Sequence, residues 1–286
     1  MNGRSRLLPH IALTCVLCWV AATIDVRTQG HTIWFADHEE PGDFDWYSPG
    51  GSAFGGGEFD SGCSSAAGSG MAGATFVKWQ DVGVPPPSDG GAFGLMLASV
   101  NNCGGPSYTP DYGAGTRMFR WKEPKWDAPN QALQYKVWLY FPRNYLLTGS
   151  PDWWFWNVIQ WKSTNDSAND VFFSLNIYNR PNGRMFLVLR DAQGCQCNLT
   201  PLAILDVPVN QWFYIDAYYD SQELPSGQVK IWQGDSANRT LLYDLSGVRT
   251  KYAGGDTAWS VNNYTSGLTP QPAYYFIDNA EIRSLQ

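Results

Sequence analysis

Short stretches in which apolar and polar residues strictly alternate constrain the fold of this chain more than any other sequence feature. They recur from Gln134 to Ile282 and are separated by Gly, Pro, Asn and Asp. Period-two alternation predicts antiparallel strands, and no convincing amphipathic helix competes with it, so the sequence predicts an all-β protein. The clear runs are Gln134 to Phe141, Trp156 to Ser163, Val171 to Tyr178, Arg184 to Arg190, Trp212 to Asp220, Gln228 to Trp232 and Tyr274 to Ile282.

The two faces of these strands differ in composition. Neighbouring side chains point to opposite faces, and one set is apolar throughout, which predicts a core between two sheets. The other set combines Trp and Tyr with amides and charges, a match to the C–H faces and hydroxyls of a glycan. The alternative is a layer of loops that makes these aromatic residues a second core, since large apolar rings are seldom left exposed in patches. The predicted substrate-binding residues are Trp138, Tyr140, Trp156, Tyr214, Asp216, Lys230 and Trp232.

The N-terminus has the layout of a secretory signal. Arg4 and Arg6 precede an apolar run that ends in small residues at Ala22. This predicts a signal peptide over 1–22 and a secreted protein. The alternative, a membrane anchor, is disfavoured because the uninterrupted run is shorter than the roughly 20 apolar residues of a spanning helix. Residues 23–286 show no linker or repeat and predict a single β domain.

The charge balance limits the classes of partner. A formal net charge of -7 argues against nucleic acid and against an anionic membrane surface, because both require a clustered basic footprint. An acidic glycan stays compatible, since a local pocket of Arg and Lys can hold a uronate. The predicted partner is a polysaccharide, for which an anionic one is compatible with this charge, and the protein is expected to be a monomer.

Four of the six cysteines lie outside the predicted signal peptide. An even number in an exported protein favours disulfides, for which three pairings are possible. The preferred pairing joins Cys63 to Cys103 and Cys195 to Cys197 across a tight turn. A metal site at Cys-x-Cys is the alternative, but no His or second Cys pair accompanies it.

Four segments carry a resemblance to a known family: Trp156 to Ser163, Gln211 to Tyr219, Gly227 to Asp235 and Tyr275 to Ala280. They resemble the polysaccharide lyases of the concanavalin A-like jelly-roll group, which includes heparin-lyase-like and glucuronan- or alginate-lyase-like proteins. The resemblance covers about two thirds of the mature chain. It implies a jelly-roll sandwich of two antiparallel sheets, with a concave glycan-binding face, that cleaves a uronic-acid polymer by β-elimination. A non-catalytic carbohydrate-binding protein is the main alternative, and an adhesive surface protein is the third.

A uronate lyase must neutralise the carboxylate, remove the C5 proton and protonate the leaving oxygen at C4. His31 and His38 lie outside the predicted strands, unlike the strand-borne histidine of heparin lyases, so tyrosine or lysine must transfer the proton. A hydrolase needs two carboxylic groups, whereas the predicted face carries one, Asp216. The predicted catalytic residues are Gln160, Lys162, Asn176 and Arg190 around the carboxylate, with Tyr178 and Tyr218 for proton transfer.

Acidic residues near the first and last strands predict a structural calcium site. Asp37, Glu39 and Asp43 lie near the first run and Asp278 on the last one, and they resemble the oxygen ligands of many jelly rolls. The alternative is a solvated acidic loop. No cofactor is required for the predicted reaction.

Overall fold

Strands dominate the part of the chain that the structure describes. This computed structural model describes residues 30–39, 73–88, 90–99, 115–122, 132–148, 155–165, 167–265 and 267–285. One short helix, α1 (Trp79–Val82), accompanies the strands. These are β1 (Thr32–Ala36), β2 (Gly73–Lys78), β3 (Phe93–Ser99), β4 (Gly115–Lys122), β5 (Ala132–Tyr140), β6 (Leu146–Leu147), β7 (Trp156–Thr164), β8 (Asn169–Asn179), β9 (Met185–Asp191), β10 (Cys197–Asn198), β11 (Trp212–Asp220), β12 (Gly227–Gly234), β13 (Arg239–Val248), β14 (Asp256–Thr265), β15 (Leu268–Thr269) and β16 (Ala273–Ser284).

Two antiparallel sheets organise these strands. Sheet 1 has the order β13-β12-β11-β5-β16-β3-β2, with β1 also paired to β16. Sheet 2 has the order β10-β9-β8-β7-β14-β4, and β15 forms a small separate pair with β6. The neighbours in both sheets run antiparallel. The predicted fold class, an all-β sandwich of the jelly-roll type, is therefore confirmed.

The core lies between the two sheets and is rich in aromatic rings. Trp161 of sheet 2 stacks on Tyr219 of sheet 1 with 5.3 Å between ring centroids and an interplanar angle of 7°. Tyr135 of sheet 1 contacts both Trp161 and Trp259 at 6.0 and 5.3 Å. These rings are buried together with the apolar members of the alternating runs, such as Val137 and Leu175. The apolar half of the alternation therefore predicted the core correctly.

Several predictions concern residues outside the described ranges. The signal peptide over 1–22, Asp43, Cys63 and Cys103 all belong to this group. The Cys195–Cys197 disulfide lies within the described residues and is present, as predicted. No helix in these ranges is long and apolar enough to cross a membrane.

Candidate active site on sheet 2

The positions predicted to line a single groove lie on opposite sides of the sandwich. Strands β5, β11 and β12 belong to sheet 1, whereas β7, β8 and β9 belong to sheet 2. Each set points away from the shared core, so the two sets do not lie together on one face. Alternation shows which side of its strand a residue occupies, but not which sheet the strand joins. Sheet 1 holds Trp138, Tyr140, Tyr214, Asp216, Tyr218, Lys230 and Trp232, and sheet 2 holds Gln160, Lys162, Asn176, Tyr178 and Arg190.

Trp156 belongs to neither outer face. Its side chain is 1 % exposed, its indole Nε1 donates to Asn263 Oδ1 at 2.9 Å, and its ring packs against Phe141. The register between β7 and β8 shifts between Asn157 and Ile159, and such a bulge inverts the parity of the strand locally. Trp156 therefore lies in the core and not on the predicted substrate-binding face, and Asn157 occupies the outer face instead.

One rung of sheet 2 carries polar side chains on neighbouring strands. Gln160 lies opposite Ser174 of β8 and Ser260 of β14, and Ser174 lies opposite Arg190 of β9. Paired positions in a sheet are about 5 Å apart, so these side chains are neighbours. Gln160 is 3 % exposed, whereas Arg190 of β9, next to the edge strand β10, is exposed. The predicted grouping of Gln160, Asn176 and Arg190 on three consecutive strands agrees with this register.

A chain of amide hydrogen bonds runs beside this rung. Asn262 Nδ2 donates to Asn157 Oδ1, and Asn157 Nδ2 donates to Asn176 Oδ1 at 3.4 Å. Asn176 Nδ2 in turn donates to Ser174 Oγ at 3.0 Å. The chain thus links β14, β7 and β8, and two of its members, Asn157 and Asn262, were missed at the sequence level. The bulge concealed Asn157, and consecutive asparagines at 262 and 263 broke the alternation that would have revealed β14.

Three buried polar atoms of this face lack a hydrogen-bond partner among the described residues. They are Gln160 Nε2, Ser260 Oγ and Asn262 Oδ1, in side chains that are 3 %, 1 % and 0 % exposed. An unpaired buried polar group costs about 1–3 kcal/mol, so native proteins usually satisfy such a group with a ligand, an ion or an ordered water. A donor, a hydroxyl and an acceptor side by side are what a hydroxylated or carboxylated ligand would pair with. This cluster is therefore the candidate ligand site.

Reactive groups flank the amide cluster. Tyr178 lies two residues beyond Asn176 on β8, and its Oη accepts a hydrogen bond from Asn198 Nδ2 at 3.3 Å. Lys162 lies two residues beyond Gln160 on β7 and is 8 % exposed. Tyr264 of β14 lies opposite Asn157. Cations, amides and phenols therefore share one sheet face.

The outer face of sheet 1 pairs its rings with cations. Lys136 Nζ lies 5.1 Å from the centroid of Trp138 and 4.7 Å from that of Tyr214. The Arg239 guanidinium lies 4.0 Å from the centroid of Trp232 and 3.3 Å from Asp216. Cations thus take up ring surface on which a sugar would stack, and Lys230 pairs with Asp244 at 3.3 Å. This packing speaks against the predicted substrate-binding role of these residues.

One end of the same face is covered by the α1 segment. Trp79 and Val84 pack with Tyr140 and Phe276 in a small second hydrophobic cluster. The indole of Trp212 contacts Trp79 and donates to Pro85 O at 2.7 Å. Tyr140 is accordingly 6 % exposed. The alternative of a second core therefore describes this end of sheet 1.

Tyr218 is separated from the other predicted catalytic residues by the thickness of the sandwich. It lies on β11 of sheet 1, whereas Gln160 and Arg190 lie on sheet 2. Burial raises the pKa of Tyr218, and the charge of Asp220 raises it further. A base must instead lose its proton readily, so both its position and its electrostatics argue against the predicted proton-transfer role.

The predicted calcium ligands make other contacts. Asp278 is fully buried with Oδ1 3.2 Å from His38 Nδ1. The Glu39 carboxylate accepts the backbone N–H groups of Ala92 and Phe93 at 2.8 and 3.4 Å. Within the ranges described, no group of three or more His, Cys, Asp or Glu side chains is arranged to hold a metal ion. Calcium binding through Asp37, Glu39 and Asp278 stays a prediction.

Replacing Asp278 by asparagine is expected to flatten the dependence of stability on pH. Burial raises the pKa of Asp278 from its ordinary value of 3.8 to about 6, while His38 opposes and Glu39 adds to this shift. The carboxyl group therefore stabilises the fold below the lower value, and this stabilisation is lost as the pH rises through the higher one, by about 3 kcal/mol at most. Urea unfolding of wild type and Asp278→Asn at a series of pH values measures the difference. Parallel curves between about pH 4 and 7 would contradict the buried charge.

The chain is similar to solved structures of polysaccharide lyases. The sequence matches no protein-family profile and no curated protein. The marine PL-14 alginate lyase from Aplysia kurodai is 13 % identical with a TM-score of 0.45, over 73 % of this chain and 90 % of that one. Endo-β-1,4-glucuronan lyase from Trichoderma reesei is 13 % identical with a TM-score of 0.45, over 74 % and 87 %. Alginate lyase Aly36B with an alginate trisaccharide is 11 % identical with a TM-score of 0.46, over 76 % and 100 %.

Proposed function

We propose that this protein is a secreted lyase that cleaves a uronic-acid-containing polysaccharide by β-elimination on the outer face of sheet 2. The observation that carries the proposal is the amide cluster with its buried, unpartnered polar atoms at Gln160, Ser260 and Asn262. Cationic side chains and a tyrosine lie on the same face, at Lys162, Arg190 and Tyr178. A uronate lyase needs this combination of groups.

The amides and cations suit the task of neutralising a carboxylate. As the C5 proton leaves, negative charge develops on the uronate carboxylate, and preorganised donors stabilise it in proportion to their fit. Gln160 Nε2 is a buried donor without a partner in the described structure. Lys162 and Arg190 add positive charge on the strand positions around it. We assign these three residues to the substrate carboxylate.

Tyr178 is the tyrosine placed for proton transfer on this face. In the proposed step the phenolate form of Tyr178 takes the C5 proton and becomes the phenol, the C5–H electron pair forms the C4–C5 double bond, and the C4–O4 bond breaks. The departing O4 then receives a proton, so no water is consumed. Asn198 contacts the Tyr178 hydroxyl from the next strand but one. The proton for O4 comes either from the newly formed Tyr178 phenol or from Tyr264, which lies on the same face.

Two observations favour this chemistry over other functions. The outer-face positions of the described parts of β7, β8, β9 and β14 hold a single carboxylate, Asp256, whereas a glycoside hydrolase of the usual kind needs two. The same positions hold no tryptophan, because Trp156 lies in the core and Trp138 and Trp232 lie on sheet 1. A purely sugar-binding face would be expected to present such rings, so a lectin-like protein is the weaker candidate.

Incubation with alginate, glucuronan, heparin and pectin tests the function directly. Elimination creates an unsaturated uronate, so absorbance of the new double bond is expected to rise with at least one polymer. A Tyr178→Phe preparation, purified identically, reports any contaminating lyase. Binding to a polymer without new absorbance on the whole panel would replace the lyase by the lectin-like function.

A further inference from the structure

A disulfide closes a very short turn at the edge of sheet 2. Cys195 and Cys197 are joined across one residue, Gln196, whose φ of 53° is in the left-handed region that non-glycine residues rarely adopt. The Asp191 carboxylate accepts the backbone N–H groups of Gly194 and Cys195 at 2.6 and 3.3 Å. The disulfide and the two hydrogen bonds to Asp191 thus both stabilise this turn.

The turn delivers Asn198 to the polar face. Directly after the disulfide, the two-residue strand β10 pairs with β9 and sets Asn198 opposite Arg190. Asn198 therefore extends the rung of Gln160, Ser174 and Arg190 by one strand. Its Nδ2 donates to the Tyr178 hydroxyl at 3.3 Å. An edge strand of two residues thus supplies a contact to the tyrosine of the proposed site.

The disulfide contributes little to global stability because its loop is so short. A disulfide stabilises mainly by removing the loop-closure entropy of the unfolded chain, and this grows with the number of residues enclosed. The strained backbone at Gln196 offsets part of that small gain. A strand of two residues, in contrast, has few hydrogen bonds to keep it in place. The disulfide therefore acts locally, by holding the weakly hydrogen-bonded strand β10 in place.

We propose that the Cys195–Cys197 disulfide is a local clasp that makes Asn198 a positioning residue for Tyr178. The catalytic role of the Asn198–Tyr178 contact rests on the proposed function, whereas the contact itself does not. With the clasp intact, the Asn198 amide restricts the Tyr178 ring to one orientation over the face. Without the disulfide, β10 detaches more often and the Asn198–Tyr178 hydrogen bond is lost.

Cys195→Ser/Cys197→Ser and Asn198→Ala test the clasp and the contact separately. Both variants are expected to change the NMR ring resonances of Tyr178 in tyrosine-labelled protein, with the assignment made from Tyr178→Phe. The double serine variant is expected to lower Tm by less than about 5 °C. Asn198→Leu keeps about the size of the side chain but can neither donate nor accept a hydrogen bond, so it is expected to behave like Asn198→Ala. Asn238→Ala is the matched control, because Asn238 is exposed in the turn between β12 and β13.

The ring resonances decide the inference whether or not a polymer is cleaved. If no polymer yields an unsaturated product, the proposed function fails while the NMR result still stands. If turnover is found, kcat is expected to fall about tenfold in the clasp variants with KM nearly unchanged, since Tyr178 acts in the chemical step. Unchanged Tyr178 resonances in both variants, or a Tm loss above about 10 °C in the serine variant, overturn the local clasp.

Discussion

Tyr178→Phe is expected to lower kcat on the cleaved polymer by about 10²–10⁴-fold, the usual contribution of a general acid or base. The change removes the hydroxyl that would carry the proton and keeps the aromatic ring. Affinity for the polymer is expected to change by less than about threefold, because the amide cluster and Arg190 are untouched. Initial rates of unsaturated product and binding of the polymer to both proteins measure the two effects.

Tyr218→Phe is the matched comparison for this experiment. Tyr218 lies on sheet 1, on the far side of the core from Gln160. Its hydroxyl cannot reach a sugar bound on sheet 2, so the change is expected to leave kcat within about twofold of wild type. If Tyr218→Phe abolishes turnover and Tyr178→Phe does not, the reaction takes place on sheet 1 and the assignment of the site is wrong.

Trp161→Ala is expected to reduce the free energy of unfolding by about 3–5 kcal/mol, as for other large-to-small changes of buried aromatic residues. The ring is completely buried between the sheets and stacks on Tyr219 at 5.3 Å. It also contacts Tyr135 of the opposite sheet at 6.0 Å. Removing it leaves a cavity between the sheets. The hydrogen bonds between neighbouring strands hold each sheet in shape, so the sheets cannot close this cavity. Urea unfolding followed by tyrosine fluorescence and circular dichroism measures the loss.

Trp232→Ala provides the control for the loss at Trp161. Trp232 is partly exposed on the outer face of sheet 1, where its main contact is the Arg239 guanidinium at 4.0 Å. Such cation–π contacts contribute about 0.5–2 kcal/mol, so the expected loss is well below that of Trp161→Ala. Equal losses for the two variants would show that the core does not lie between the sheets as described.

Much of the site could be predicted from strand parity. Apolar and polar residues alternate from Ile159 to Lys162 and from Phe173 to Tyr178, and the register places Gln160, Asn176 and Arg190 on adjacent strands of one face. The Cys195–Cys197 disulfide could be predicted for a similar reason, because two cysteines separated by one residue can meet within a single turn. In both cases the decisive contacts lie within a few residues or between consecutive strands, where local sequence carries the information.

The residues that were misplaced depend on contacts far apart in the chain. Strand β7 pairs with β14, and β5 pairs with β11 and β16, so partners are separated by many intervening strands. Because of these pairings, Trp138 and Tyr218 lie on sheet 1, whereas Gln160 lies on sheet 2. Side-chain alternation repeats every two residues and is the same in either sheet, so it assigns a residue to a side of its strand. Which sheet that strand enters, and where a bulge such as that at Asn157 reverses its parity, is determined by long-range hydrogen bonding and packing.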